Sequence, residues 1–116
     1  MLKIRKTEVD EIRRHGEETY PYECCGLLLG LTNGDERVVA SVARAGNTRT
    51  DSPHNRYNID PKDYIRIQRE GRERGQDVIG FYHSHPDHPA RPSEYDRDHA
   101  WPWYSYVIVS VERGEL

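Results

Sequence analysis

Apolar and polar positions alternate along the first part of the chain in blocks that predict a strand, a helix and a second strand. Leu2–Arg5 has the length of a short strand. Thr7 is the predicted N-cap of a helix over residues 8–20, which has apolar residues on one face and ends at Pro21. Cys24–Leu31 is a continuous apolar run of strand length, which is typical of a buried strand.

A hairpin signal and a polar loop follow. Asn33-Gly34 is a strong two-residue hairpin signal, and Arg37–Ala45 is the predicted partner strand. Residues 46–56 are rich in turn-forming residues and predict a loop, and Tyr57–Ile59 predicts a short strand.

The second half of the chain predicts two helices and two strands. Asp60 is the predicted N-cap of the first helix, with Pro61 at its first position and Gly75 just beyond its end. Ser93 is the predicted cap of the second, shorter helix. In chain order the four elements are a helix to about residue 74, a strand over Asp77–His85, a helix over 93–100 and a strand over Tyr104–Val111.

Strands and helices mix without a regular strand-helix-strand rhythm, and this predicts an α+β fold with helices packed on a sheet. The 116 residues predict a single domain spanning 1–116. Hydrophobic residues make up 34% and charged residues 32%, which indicates a small core with a heavily charged surface.

Composition also excludes several classes of function. No apolar run approaches the roughly 20 residues of a membrane span, and the N-terminus lacks the apolar region of a signal peptide. The 17 basic residues are dispersed among 20 acidic ones, so we expect neither a membrane nor a nucleic acid as partner.

The two cysteines are adjacent, at Cys24 and Cys25. Neighbouring residues of a strand point to opposite faces, so the pair cannot form a disulfide framework, and we expect a cytoplasmic setting. Packing as small buried thiols is the favoured interpretation. A zinc-ligand role for either is the alternative.

The stretch His83-Ser84-His85 carries the clearest chemistry. Two histidines separated by one residue at a strand end place both rings on one face of the sheet. There they can bind a single zinc ion, and a catalytic zinc keeps one position open for water. Asp96, one helical turn after Ser93, is a candidate third ligand.

A simpler interpretation stays open for each part of this pattern. The two histidines could be a chance surface pair, and Ser93 with Asp96 could be only a helix cap and its first-turn acid. The joint spacing of His83, His85, Ser93 and Asp96, at a strand end and a helix start, favours a metal site over these alternatives.

The complete pattern resembles the JAMM (MPN+) zinc metallopeptidases. Their motif is a glutamate followed far downstream by His-Ser/Thr-His, seven residues, Ser, two residues and Asp. It is matched here by Glu23, His83, His85, Ser93 and Asp96. The resemblance implies a cytidine-deaminase-like α+β fold, in which a curved mixed β-sheet is flanked by helices.

The same resemblance implies an activity and a role for each residue. His83, His85 and Asp96 would hold one zinc ion per chain. Glu23 would be the general base that takes a proton from the attacking water, and Ser93 would donate a hydrogen bond to the developing oxyanion. The expected reaction is hydrolysis of an isopeptide or peptide bond at a ubiquitin-like protein.

The short segments between motif residues resemble the compact bacterial members of the family. Those members are associated with ubiquitin-like sulfur-carrier proteins that end in Gly-Gly, so such a carrier is the expected partner. Family domains usually continue beyond the last predicted strand. We therefore expect that the chain, which stops at Leu116, lacks a terminal strand or helix.

Other polar and aromatic residues near the motif are weaker candidates. Asn47, His88 and Trp103 are candidate substrate contacts, whereas His15, His54 and His99 are interpreted as surface or capping groups. Two other functions remain as alternatives. One is a catalytically silent scaffold of the same fold. The other is a RadC-like DNA-repair-associated protein, which the acidic net charge and the sequence after His85 disfavour.

Overall fold

A mixed β-sheet lies between two helices in the computed structural model, which describes residues 2–46, 59–86 and 105–111. Within these residues the elements are β1 (Leu2–Lys3), α1 (Lys6–Thr19), β2 (Cys25–Asn33), β3 (Glu36–Ala45), α2 (Pro61–Glu73), β4 (Asp77–Pro86) and β5 (Ser105–Val111). The strands are ordered β1-β3-β2-β4-β5. The predicted α+β class is therefore confirmed.

The sheet is built around β2, which runs antiparallel to both of its neighbours, β3 and β4. The outer strands β1 and β5 run parallel to β3 and β4 respectively. The neighbours on both edges and the helices over both faces bury Cys25–Gly30, and this explains most of the apolar run predicted at Cys24–Leu31. Leu31, at the far end of that run, is exposed. Register shifts near Leu29 disrupt the pairing and bend the strands.

Two separate hydrophobic clusters occupy the two faces of the sheet, because successive strand residues point to opposite sides. The cluster under α1 contains Ile12, Cys24, Leu28, Val39, Ile79 and Tyr82. The cluster under α2 contains Leu27, Leu29, Ile67 and Phe81. Neither of the described helices is long and apolar enough to cross a membrane.

The start of α1 differs from the prediction. The helix begins at Lys6 with Arg5 at the N-cap, and no side chain caps it, so the prediction of Thr7 as N-cap is wrong. Thr7 lies inside the first turn, and its hydroxyl donates instead to the Glu8 carboxylate. Arg5 donates to the same carboxylate over 2.7 Å and to the Ala40 carbonyl over 3.1 Å, so contacts with β3 fix where the helix starts.

The predicted start and end of α2 are confirmed. Asp60 caps α2 by accepting a hydrogen bond from the Lys62 amide over 2.9 Å, and Pro61 is the first helical residue. Gly75 adopts a positive φ of 72° just beyond the helix. The predicted hairpin is present, but its two-residue loop is Gly34-Asp35 rather than Asn33-Gly34, with Gly34 at φ 62° and Asn33 paired with Glu36. The predicted helix over 93–100 lies outside the described residues.

Gly26 allows β2 to approach the ring of Tyr82. A Cβ atom at Gly26 would lie 2.2 Å from Tyr82 Cε2 and 2.5 Å from the carbonyl oxygen of Ala43. We expect Gly26→Ala to lower the free energy of unfolding by about 3 kcal/mol or more, because ring and backbone must both shift. Gly34→Ala, whose Cβ would meet nothing within 4 Å, should cost about 1 kcal/mol from its positive φ alone. Urea unfolding of both variants measures this difference, and equal losses would contradict it.

Candidate metal centre

Three polar side chains meet where β2 begins and β4 nears its end. Glu23, His83 and His85 each offer a ligand atom, and these atoms all lie within 4.8 Å of one another. The Nε2 atoms of the two histidines are 3.1 Å apart, and the ring centroids are 4.9 Å apart with planes tilted by 51°. Among the described residues, these three form the group of acidic, histidine or cysteine side chains that lie close enough together to hold one metal ion.

The register of the sheet brings these residues together from distant parts of the sequence. His83 is the partner of Cys25 in the antiparallel pairing of β4 with β2. Glu23 lies two residues before Cys25, at the same end of the sheet as the histidines. His85 is two residues beyond His83 and so shares its face, as the spacing predicts.

All three side chains are buried. Glu23 is 4% exposed, His83 1% and His85 7%. The interpretation of the two histidines as a chance surface pair is therefore wrong. Burying a carboxylate beside two imidazoles is unfavourable unless hydrogen bonds or a metal ion stabilise the polar groups, so a cluster of this kind indicates a functional site.

The donor set fits a zinc ion. Zn–N bonds of about 2.0–2.1 Å at a tetrahedral angle place two imidazole nitrogens roughly 3.3 Å apart. The observed Nε2–Nε2 separation of 3.1 Å is close to this value. Binding requires both Nε2 atoms to be unprotonated, so each neutral ring must then carry its proton on Nδ1.

Several predicted site residues fall outside the described residues. These are Asn47, His88, Ser93, Asp96 and Trp103, together with His54 and His99. The third ligand, the oxyanion donor and the substrate contacts therefore stay predictions.

The adjacent cysteines are buried free thiols on opposite faces of the sheet, as the favoured interpretation predicted. Cys24 packs in the cluster under α1, whereas the Cys25 sulfur contacts the carbonyl oxygens of Gly46 at 3.6 Å and Ala45 at 3.8 Å. Burial raises the pKa of both thiols, as expected for thiols that pack in the interior. Neither belongs to the metal-binding group.

His15 is a buried residue, so its interpretation as a surface or capping group is wrong. Its Nδ1 forms a 2.7 Å hydrogen bond with the hydroxyl of Tyr82, and the two rings meet edge to face. Residue 15 lies three positions after Ile12, which is fully buried, and helical periodicity places both on one face. That spacing was the signal in the sequence.

We expect His15 to make the protein less stable in acid. Burial lowers the pKa of His15 from 6.5 to about 4. The charge of Arg44 lowers this pKa slightly further, and the charge of Glu18 raises it slightly. Between pH 6.5 and about 4 the unfolded chain binds a proton that the folded chain does not. The free energy of unfolding therefore decreases as the pH is lowered across this window.

Urea unfolding of the wild type and His15→Gln at several pH values in this window measures the effect. Glutamine does not titrate, so the stability of the wild type should fall more steeply toward acid than that of the variant. Parallel curves would show that His15 does not contribute to the acid sensitivity.

Comparison with known proteins places this site in a family. Residues 6–116 match the family of prokaryotic homologs of the JAB domain. The chain is 37% identical over 108 residues to the desampylase of Haloferax volcanii, which covers 89% of this chain and 76% of that protein. It is 30% identical over 112 residues to a probable TtuB-protein conjugate cleaving protease of Thermus thermophilus, covering 97% and 72%.

Solved structures agree with the sequence comparisons. The solution structure of a protein from Desulfitobacterium hafniense superposes with a TM-score of 0.84 at 36% identity, covering 95% of this chain and 75% of that one. The fold, the buried group of Glu23, His83 and His85, and the match over residues 6–116 agree with the resemblance found in the sequence. The chain belongs to the prokaryotic branch of the JAB (JAMM/MPN) domain family.

Proposed function

We propose that this chain is a zinc-dependent isopeptidase that hydrolyses the amide bond at the Gly-Gly C-terminus of a ubiquitin-like, sulfur-carrier-type protein. The observation that carries the proposal is the buried group of Glu23, His83 and His85. Similarity to two relatives, a desampylase and a probable TtuB-protein conjugate cleaving protease, supports conjugates of a ubiquitin-like protein as the substrate class.

His83 and His85 would hold the zinc ion through Nε2, and Asp96 is the proposed third protein ligand. Three protein ligands leave the fourth position of a tetrahedral site open, as catalysis requires. When bound, zinc lowers the pKa of a coordinated water to about 7 and polarises the carbonyl that is attacked.

Glu23 acts as the general base in this proposal. Its carboxylate takes a proton from the attacking water as the new C–O bond forms, and it then gives that proton to the leaving lysine amine as the C–N bond breaks. The products are a free carrier carboxylate and a free amine. Ser93 is the proposed donor to the oxygen on which negative charge develops.

The proposal also explains why three donors are buried at one end of the sheet. A catalytically silent scaffold has no need for a carboxylate and two imidazoles with little exposed surface, because their burial costs stability. The Glu23, His83 and His85 group therefore supports an enzyme over the scaffold alternative.

A cleavage assay tests the function directly. The substrate is a ubiquitin-like carrier whose C-terminal Gly-Gly is joined to the lysine side chain of a labelled peptide. We expect the purified chain to release the peptide, to lose this activity after treatment with a chelator, and to regain it when zinc is added. Release that persists in the metal-free protein would overturn the metal mechanism.

The Gly-Gly element has its own test. We expect a Gly→Val change at the penultimate position of the carrier to abolish cleavage, because a tail without side chains is held by main-chain hydrogen bonds in a channel too narrow for a branched residue. The matched control carries the same change several residues upstream, outside the tail, and should be cleaved normally. Equal turnover of the wild-type and penultimate-Val carriers would exclude recognition of Gly-Gly.

A further inference from the structure

Ser84, between the two histidines, makes two hydrogen bonds to the residue that follows Glu23. Its amide donates to the carbonyl oxygen of Cys24 over 3.2 Å, and its hydroxyl oxygen accepts from the amide of Cys24 over 2.9 Å. The side chain is fully buried. By strand alternation it points to the α1 face, whereas His83 and His85 point to the α2 face.

The amide of Cys24 belongs to the peptide unit that joins it to Glu23. Because a peptide unit is planar, holding that N–H also fixes the carbonyl of Glu23 and limits the directions its side chain can take. β2 begins only at Cys25, so Glu23 lies outside the regular strand pairing. The hydroxyl of Ser84 extends the attachment of β2 to β4 by one residue, to the peptide unit of Glu23.

We propose that Ser84 is a positioning residue that holds the Glu23 carboxylate against His83 and His85. Three consecutive residues of β4 then fix the group of Glu23, His83 and His85, with two imidazoles on one face of the sheet and the hydroxyl on the other. The inference rests on the proposed function, in which Glu23 must reach a proton on the attacking water. A displacement of about 1 Å in such a group can lower the rate by as much as 10²-fold.

The first test is made on the metal-free protein and needs no substrate. Hydrogen exchange of the Cys24 amide, followed by NMR, reports on the bond to the hydroxyl. We expect Ser84→Ala to speed this exchange by at least about tenfold, because the amide loses its acceptor, and Ser84→Thr to restore it. Unchanged exchange in Ser84→Ala would overturn the inference, whatever the rates of cleavage.

The second test measures cleavage at saturating zinc. We expect Ser84→Ala to lower kcat by about 10- to 10²-fold with KM almost unchanged, and Ser84→Thr to recover most of the loss. Ser41→Ala is the matched control. Ser41 lies on β3, and its hydroxyl donates a hydrogen bond to the Gln76 side chain over 2.8 Å. Removing this hydroxyl should leave kcat unchanged. If Ser84→Ala does not fold, Ser84→Cys keeps the shape of the side chain, with a larger sulfur that is only a weak acceptor, and should show the same loss.

A double-mutant cycle of Ser84→Ala and Glu23→Gln shows whether Ser84 acts by positioning Glu23 or by stabilising the site in general. If Ser84 acts through Glu23, adding Ser84→Ala to Glu23→Gln should lower kcat no further, because the base is already absent. Effects that multiply would overturn the inference while leaving Glu23 as the base. Normal kcat in Glu23→Gln alone would overturn the proposed base, and this inference with it.

Discussion

Glu23→Gln should lower kcat by about 10²- to 10⁴-fold, the range typical of a lost general base, while metal content and melting temperature stay near those of the wild type. The amide has the shape of the carboxylate and can still hydrogen-bond water, but it cannot accept a proton. His83 and His85 are unchanged in this variant. Measuring zinc content, Tm and kcat on the same sample shows whether Glu23 is needed to bind the metal or only for the catalytic step.

The result also decides between two roles for Glu23. Its carboxylate lies within 4.8 Å of the histidine nitrogens, so it could also bind the ion directly. A ligand role predicts loss of zinc in Glu23→Gln together with loss of rate, whereas a base role predicts loss of rate alone. Near-normal kcat would show that another residue takes the proton.

His85→Ala should abolish zinc binding and activity together. With one imidazole removed, the remaining donors bind zinc poorly, and we expect less than about a tenth of an equivalent of metal after dialysis. Losing the several kcal/mol of charge stabilisation that a catalytic metal supplies corresponds to a fall in rate of at least about 10³-fold. Metal analysis and the cleavage assay measure the two losses.

The matched control is His15→Ala. His15 and His85 are each 7% exposed, and both changes remove an imidazole from the protein interior. His15 contacts Tyr82 on the α1 face, away from the metal-binding group. Both variants should lose stability, but His15→Ala should keep a full equivalent of zinc. Full zinc occupancy in His85→Ala would contradict the assignment of this residue as a ligand.

Local signals in the sequence predicted most of the secondary structure. The Asp60 cap with Pro61 located the start of α2, and Asn33-Gly34 located the hairpin. Thr7 was misleading because a capping preference is worth only about 1 kcal/mol, so distant contacts can override it. Here the contact of Arg5 with β3 fixes the helix start two residues before the predicted one.

The site was predictable only in part from local spacing. The separation of His83 and His85 placed both rings on one face, but nothing local connects Glu23 to them across 60 residues. The family resemblance supplied that link, and the pairing of Cys25 with His83 is its physical basis. Ser84 was missed because a serine gives no sign in the sequence that it will be buried and hydrogen-bonded. His15 was missed although its spacing from Ile12 places it on the buried face of α1.

The alternation along β4 also limits how this protein can vary in length during evolution. The pairing of β4 with β2 already contains one extra residue, Ile79, where the register shifts between Leu28 and Leu29. Beyond that shift, inserting one residue between Phe81 and Tyr82 would move every following side chain to the opposite face unless a second bulge absorbed it. Tyr82 and Ser84 would then face the metal site, and the two imidazoles would enter the core under α1. Length changes at the histidine end of this strand must therefore come in pairs or be absorbed by a bulge, and other single-residue insertions are expected to accumulate in the loops that join the strands.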